Sequence, residues 1–228
     1  AYLTASVLDL ECVSDHAINT ILFRTASKLG ISYVIHGGNV VSESTMPKSW
    51  SYDKRDGLNL LAIHRAYGKV PLRTYPYMRP HQLFYYLFVK RIRAFPILNY
   101  IHYNKQEALA ELSERFGYRP YLRKHGENRF TRFFQECYLP RKFGIDKRIT
   151  HYSSLILSGQ MTKEQALLEM QKPLFAAGEE QEEVEYVAKK LGYSFDELEK
   201  IIASPPRSHT EFQNAQWLFD HDRLSVQI

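Results

Sequence analysis

The feature that most constrains the fold lies near the start of the chain: a helix-forming stretch, a glycine, an apolar segment and then a glycine pair. From Asp15, the residues Ile18, Ile21, Leu22, Thr25 and Leu29 recur at helical spacing, and Gly30 supplies a stop. Ile31 to Ile35 is short, β-branched and aromatic, as a buried strand is, and Gly37-Gly38 ends it. That order is the grammar of a parallel α/β sheet. The sequence therefore predicts a Rossmann-like parallel sheet with the 31–35 strand inside it. The pattern opens in its middle, so the first strand is expected upstream of Ala1, leaving a sheet edge to be covered. Asp15 reads as the N-cap of the helix, with His16 beside it; a cap at the mouth of such a sheet can also face a ligand.

Further on, 46–80 reads as loose and rich in Pro, Tyr and basic residues, with a short helix over Leu58 to Tyr67. Residues 104–116 predict an amphipathic helix with Ala108, Leu109, Leu112 and Phe116 on one face and Gly117 after it. The last third is helical. Thr162 with Gln165, and Ser194 with Glu197, have the spacing of capping boxes. Val184, Val187, Ala188 and Leu191 mark a further helix, and Pro205-Pro206 stops the last one. The polar segment after Ser204 is expected to pack loosely. This divides the chain into an α/β part over 1–120, a helical region over 121–204 and a tail over 205–228.

Composition narrows the function classes. The net charge of +5 is concentrated: Lys124 to Arg148 holds seven basic residues against Glu127, Glu136 and Asp146, a local excess of four. A basic centre in an otherwise balanced chain suits an anionic ligand better than a nucleic-acid groove. No run approaches the ~18 apolar residues of a membrane span. No basic start precedes an apolar stretch, so no leader is read and no membrane partner is expected. Cys12 and Cys137 read as reduced thiols of a cytoplasmic protein. There is no P-loop, GxGxxG, GxSxG, HExxH or CxxC pair.

Two stretches carry chemistry. His36-Gly37-Gly38-Asn39, followed by Glu43, leaves a predicted strand at the sheet edge where ligands of parallel sheets bind. The glycines either let backbone N–H groups approach phosphate or form a tight turn with φ > 0, Asn39 capping the next helix. The second stretch is Lys124-His125-Gly126-Glu127-Asn128-Arg129-Phe130-Thr131-Arg132-Phe133-Phe134, continued by Lys147, Arg148 and His151. Its cations suit a diphosphate and His125 or Glu127 suits proton handling; the alternative is a salt-bridged surface with the phenylalanines turned inward.

The segments Asp15 to Ser44, Ile97 to Tyr118 and Lys124 to Leu167 resemble the N-acetyl sugar amidotransferase family, a branch of the PP-loop ATP pyrophosphatases in surface-polysaccharide biosynthesis, over about residues 5–204. The resemblance implies ATP and Mg²⁺, a nucleotide-linked N-acetyl sugar as substrate, and ammonia from a separate glutaminase partner. It places the nucleotide at His36, Gly37, Gly38, Asn39 and Glu43. Lys124, Arg129, Arg132, Lys147 and Arg148 are expected to bind substrate phosphate, with His125 and Glu127 catalytic; no metal ligand is assigned. The family's PP-loop and a cysteine-rich segment are expected upstream of Ala1, so the chain as given is expected to bind ATP weakly and to be inactive alone. A non-catalytic partner of the same fold and a tRNA-modifying PP-loop enzyme are the other classes that this resemblance admits.

Overall fold

The computed structural model describes residues 1–119, 121 and 128–219. In chain order the helices are α1 (Tyr2–Ala5), α2 (Cys12–Leu29), α3 (Val40–Glu43), α4 (Gly57–Tyr67), α5 (Pro80–Phe84), α6 (Lys105–Phe116), α7 (Arg129–Arg132), α8 (Leu139–Phe143), α9 (Lys147–Leu157), α10 (Lys163–Gln171), α11 (Glu179–Leu191) and α12 (Phe195–Ala203). The strands are β1 (Tyr33–His36) and β2 (Arg93–Pro96). Two compact units share these elements: Ala1–Gly37 with Lys48–Pro96 and Pro205–Ile228, and Gly38–Pro47 with Ile97–Ser204. No helix among the described residues is long and apolar enough to cross a membrane.

The first unit holds the sheet. β1 and β2 pair in parallel, Tyr33 opposite Arg93 and His36 opposite Pro96. The described residues are otherwise mainly helical, and their sheet has two strands rather than the wider Rossmann-like sheet expected. Nor is the strand fully buried: Val34 packs on the core while Tyr33 and Ile35 are exposed. The expected face of α2 is likewise corrected. Ile18, Ile21 and Leu29 are exposed, and the buried stripe is Cys12, His16, Thr20, Phe23 and Ala26. Both stripes have helical spacing; the buried one carries polar groups with partners inside the unit. Thr20 returns its hydroxyl to the His16 carbonyl at 2.7 Å, and Phe23 stacks on Tyr86 in a core with Met78, Leu83 and Ile92. Asp15 is not the cap: Glu11 holds that position without a side-chain bond, and Asp15 lies in the first turn.

Polar groups organise the interior of this unit. His16 Nδ1 lies 2.9 Å from the Lys54 carbonyl, and Met78 N–H donates to its Nε2 at 3.0 Å. A Cβ on Gly57 would run into the Met78 carbonyl and the Tyr77 ring, so this helix start tolerates only glycine. Residues 205–219 are packed, against the expectation of a loose tail. Val7 bridges Arg207, His209 and Ala215 are buried, and Phe219 joins the core. His209 Nε2 accepts the Asp9 N–H at 3.2 Å, Nδ1 lies 2.8 Å from Asn59 Oδ1, and Asn59 Nδ2 donates to the His209 carbonyl. The His209 ring stacks on Tyr52 at 4.1 Å. Asp56 closes the node, accepting from Tyr52 Oη, the Asn59 N–H and the Ala215 N–H.

The second unit is helical. Asn104, Thr162 and Ser194 cap α6, α10 and α12, the last two as capping boxes, and Gly117 takes the left-handed conformation after α6. The two capping boxes and the Gly117 stop are as expected, although Leu112 and Phe116 of α6 are exposed. α7 runs through a π-helical stretch, Phe133–Tyr138, into α8. Pro140 has no N–H to return to an α-helical partner, and the chain widens just before it. Phe133, Phe134, Cys137, Tyr138 and Leu139 are thereby buried, with Val184 and Leu198 in the same core class. The Lys142 ammonium is buried on the carbonyls of Ile201 and Ser204, which closes the end of α12.

A pH dependence follows from His209. Its Nε2 must stay unprotonated to accept the Asp9 amide, and burial holds its pKa down at about 4. The stability contributed by a neutral ring is complete above the unfolded value of ~6.5 and is lost as pH falls toward the folded value. Urea unfolding should show a loss of about 2 kcal/mol between about pH 7.5 and about pH 5. His209→Gln should be less stable at the higher pH and lack this part of the slope. Identical slopes in variant and parent would contradict the assignment.

Candidate functional site

The residues read from sequence as one anion site separate into two groups. Lys124, His125 and Glu127 lie outside the described residues. Arg129 and Arg132 serve packing. The Arg129 guanidinium binds Glu183, which is 2% exposed, at 2.7 Å, and stacks over Tyr186 at 3.7 Å. Arg132 pairs with Glu136 at 3.1 Å and Glu179 at 2.8 Å over the Phe175 ring. The hydrogen bond to Glu183 raises the Arg129 pKa further. These contacts follow the salt-bridged alternative, and the carboxylates come mostly from α11, the acidic run of the sequence.

Lys147 and Arg148 start α9, with Asp146 as N-cap accepting the Arg148 N–H at 2.9 Å. The Arg148 side chain turns back onto Asp146 and donates to the Lys172 carbonyl at 2.7 Å, tying α9 to the end of α10. Lys147 lies elsewhere on the helix. With Thr150, His151 and Ser154 it forms an i, i+3, i+4, i+7 face that lines a cavity of about 230 Å³. Glu43 and Met46 cover this cavity from the α3 side, and Gln135 of the π-helical stretch enters it. Thr45 fixes the covering segment: its hydroxyl donates to the Thr150 carbonyl at 2.5 Å and lies 2.8 Å from Ser154 Oγ. Lys147 Nζ reaches Met46 Sδ at 3.4 Å.

A second cavity of about 390 Å³ adjoins the first and shares Gln135, Lys147 and His151 with it. Its other walls bring Arg148, Tyr152 and Lys172 together with Glu136, Asp146 and Glu169. Burial pushes the Tyr152 phenol up. The two cavities thus share a cation, an imidazole and an amide, with a carboxylate, Glu43, on the first cavity alone, which is a set suited to holding an anion and moving a proton. Glu43 and Lys147, both singled out in the sequence, line the first cavity. Gln135, Thr150 and Ser154 were not singled out; for Thr150 and Ser154 the signal was the helical spacing that they share with Lys147 and His151, and Gln135 had none.

The glycine pair joins β1 to α3. His36 is the last residue of β1, so the chain leaves the sheet at its C-terminal edge. Neither Gly37 nor Gly38 has positive φ, which removes the tight-turn reading, and a Cβ on Gly37 would meet nothing. Asn39 caps α3, its Oδ1 accepting the Ser42 N–H at 2.9 Å, and Asn99 Oδ1 accepts the Val40 N–H at 2.9 Å. Two N–H groups after the glycines are therefore committed to side chains. Among the described residues no cluster of three His, Cys, Asp or Glu side chains could hold a metal.

The Arg129–Glu183 pair gives a direct test of the packing role. Arg129→Ala removes the partner of a buried carboxylate from a half-exposed guanidinium and should destabilise the second unit by about 1–2 kcal/mol. Arg129→Met with Glu183→Met should recover most of that loss. Thermal unfolding checks both, and an unaltered Arg129→Ala midpoint would return Arg129 to ligand binding.

Residues 127–223 match the family model described as LPS biosynthesis protein WbpG-like, C-terminal domain. That span includes the π-helical stretch and α9 with both cavities' shared residues, and lies downstream of Glu43 and Met46. No curated protein and no solved structure matches the chain. Residues 127–223, somewhat less than half of the chain, are thus similar to a domain of lipopolysaccharide biosynthesis proteins.

Proposed function

We propose that the chain is part of an ATP-dependent amidotransferase of lipopolysaccharide biosynthesis, acting on a nucleotide-linked N-acetyl sugar. The observation that carries this reading is the shared wall of the two cavities, Gln135, Lys147 and His151, beneath Glu43. Gln135, Lys147 and His151 lie within residues 127–223, which are similar to a lipopolysaccharide biosynthesis domain. In this reading the sugar's acetamido oxygen attacks the α-phosphorus of ATP and pyrophosphate leaves. Ammonia from a glutaminase partner then adds to the activated carbon, and the C–O bond breaks to release AMP. The product is an acetamidino sugar, with O exchanged for NH.

In this scheme Lys147 acts as a point charge for the diphosphate of the sugar nucleotide. His151 takes a proton from the attacking nitrogen, and Glu43 at the cavity rim orients that nitrogen. His125 and Glu127 are proposed to assist the same proton transfer. Mg²⁺ would screen the phosphate charge; the described residues offer it no clustered ligand set, so none is named. Glu43, which lines the first cavity, is assigned with Lys147 to the sugar-nucleotide side.

The test is mass spectrometry of a UDP-linked N-acetyl sugar incubated with the full-length enzyme, ATP, Mg²⁺ and ammonium. The expected product carries NH in place of O, with AMP and pyrophosphate formed in equal amounts. Lys147→Ala should raise KM about tenfold, and His151→Ala should lower kcat about a hundredfold. An unchanged sugar mass across N-acetyl sugar nucleotides would sink the reading.

A further inference from the structure

The acid-free part of the first unit carries a second surface that the proposed reaction does not use. From Gly57 to Pro96 the sequence has no Asp or Glu. Arg65, Lys69, Arg73 and Arg79 precede the α5 region and Lys90, Arg91 and Arg93 follow it, all of them exposed. The charge balance outside 124–148 is therefore even only in sum.

In the middle of this basic stretch, α5 continues as a π-helical turn, Tyr85–Val89. Leu83, Tyr86 and Leu87 face the core, while Phe84, Tyr85, Phe88 and Val89 are exposed as one ridge. The Phe84 and Phe88 rings stack on each other at 4.6 Å, and Lys90 Nζ lies 5.8 Å from the Tyr85 ring centroid. Ile92 is buried and its N–H is bonded to the Tyr86 carbonyl at 3.0 Å, which fixes the turn that follows the ridge. Arg91 occupies that turn at φ 54°, a left-handed position where glycine is the unstrained residue. An exposed arginine held there has no packing reason to replace glycine.

We propose that this ridge docks the protein on an anionic membrane surface, with Phe84, Tyr85, Phe88 and Val89 entering the interface and Lys90 and Arg91 on lipid phosphates. An amphipathic segment with aromatic and aliphatic residues on one face and cations at its rim binds in this way. Charge complementarity favours it: the rim is basic and the surrounding sequence has no carboxylate to repel anionic headgroups. A nucleic acid fits less well, because the two phenyl faces are closed on each other rather than open to bases, and Val89 offers no stacking face.

Co-sedimentation tests the assignment, with vesicles of phosphatidylcholine alone and of phosphatidylcholine mixed with phosphatidylglycerol. The protein should pellet with the mixed vesicles and not with the neutral ones, and release as salt is raised. Phe84→Ser with Phe88→Ser, and separately Lys90→Glu with Arg91→Glu, should each weaken binding at least about tenfold. All four positions are exposed, and unchanged circular dichroism would show that the variants fold. Protein remaining in the supernatant with mixed vesicles, or binding unaltered by either pair of changes, would overturn the proposal. So would sedimentation velocity showing a dimer that the serine variant dissolves, without vesicle binding, since a second copy would then cover the ridge.

Discussion

The first unit depends on one imidazole staying neutral. His209 joins Asp9 near the start of the chain to Asn59 in α4, and it can do so only with an acceptor on one ring nitrogen and a donor on the other. Asp56 adds the Tyr52 hydroxyl and the Ala215 amide, so three segments far apart in sequence meet through side chains of one buried cluster. Buried polar networks of this kind stabilise only when every member is paired, because an orphaned group costs far more than a lost bond. The short sheet and the core of Phe23, Met78 and Tyr86 are built beside this cluster within the same unit.

What sequence could reveal divides along the same line. Capping boxes depend on residues three positions apart, so Thr162 and Ser194 were legible together with the helices they start. The face that α2 buries was not legible, because hydrophobicity favours Ile18, Ile21 and Leu29 while the interior selects His16 and Thr20 for their hydrogen bonds. The packing of residues 205–219 was missed for a similar reason: its anchors are a histidine and backbone amides, and these look polar in sequence.

The basic cluster shows what composition does not reveal. Seven cations between Lys124 and Arg148 suggested one anion site. Arg129 instead meets Glu183, 54 residues away, and Arg132 meets Glu179. The acidic run on α11 and the basic run on α7 are two halves of one helix contact, invisible until the helices are placed side by side. Lys147 differs because its helix turns it, with His151, toward a cavity that the Thr45 contacts cover with Glu43 and Met46. The π-helical widening ahead of Pro140 delivers Gln135 to the same wall, and such widenings recur at functional sites.

The central claim is that the two cavities sharing Lys147 and His151 receive the sugar nucleotide. Amide hydrogen exchange of the full-length protein, with and without a UDP-linked N-acetyl sugar, tests it most directly. The account predicts slowed exchange in peptides covering residues 43–46 and 147–155, with those covering Arg129 and Arg132 unchanged. Protection confined to the Arg129 and Arg132 peptides, with α9 unaffected at saturating ligand, would contradict it.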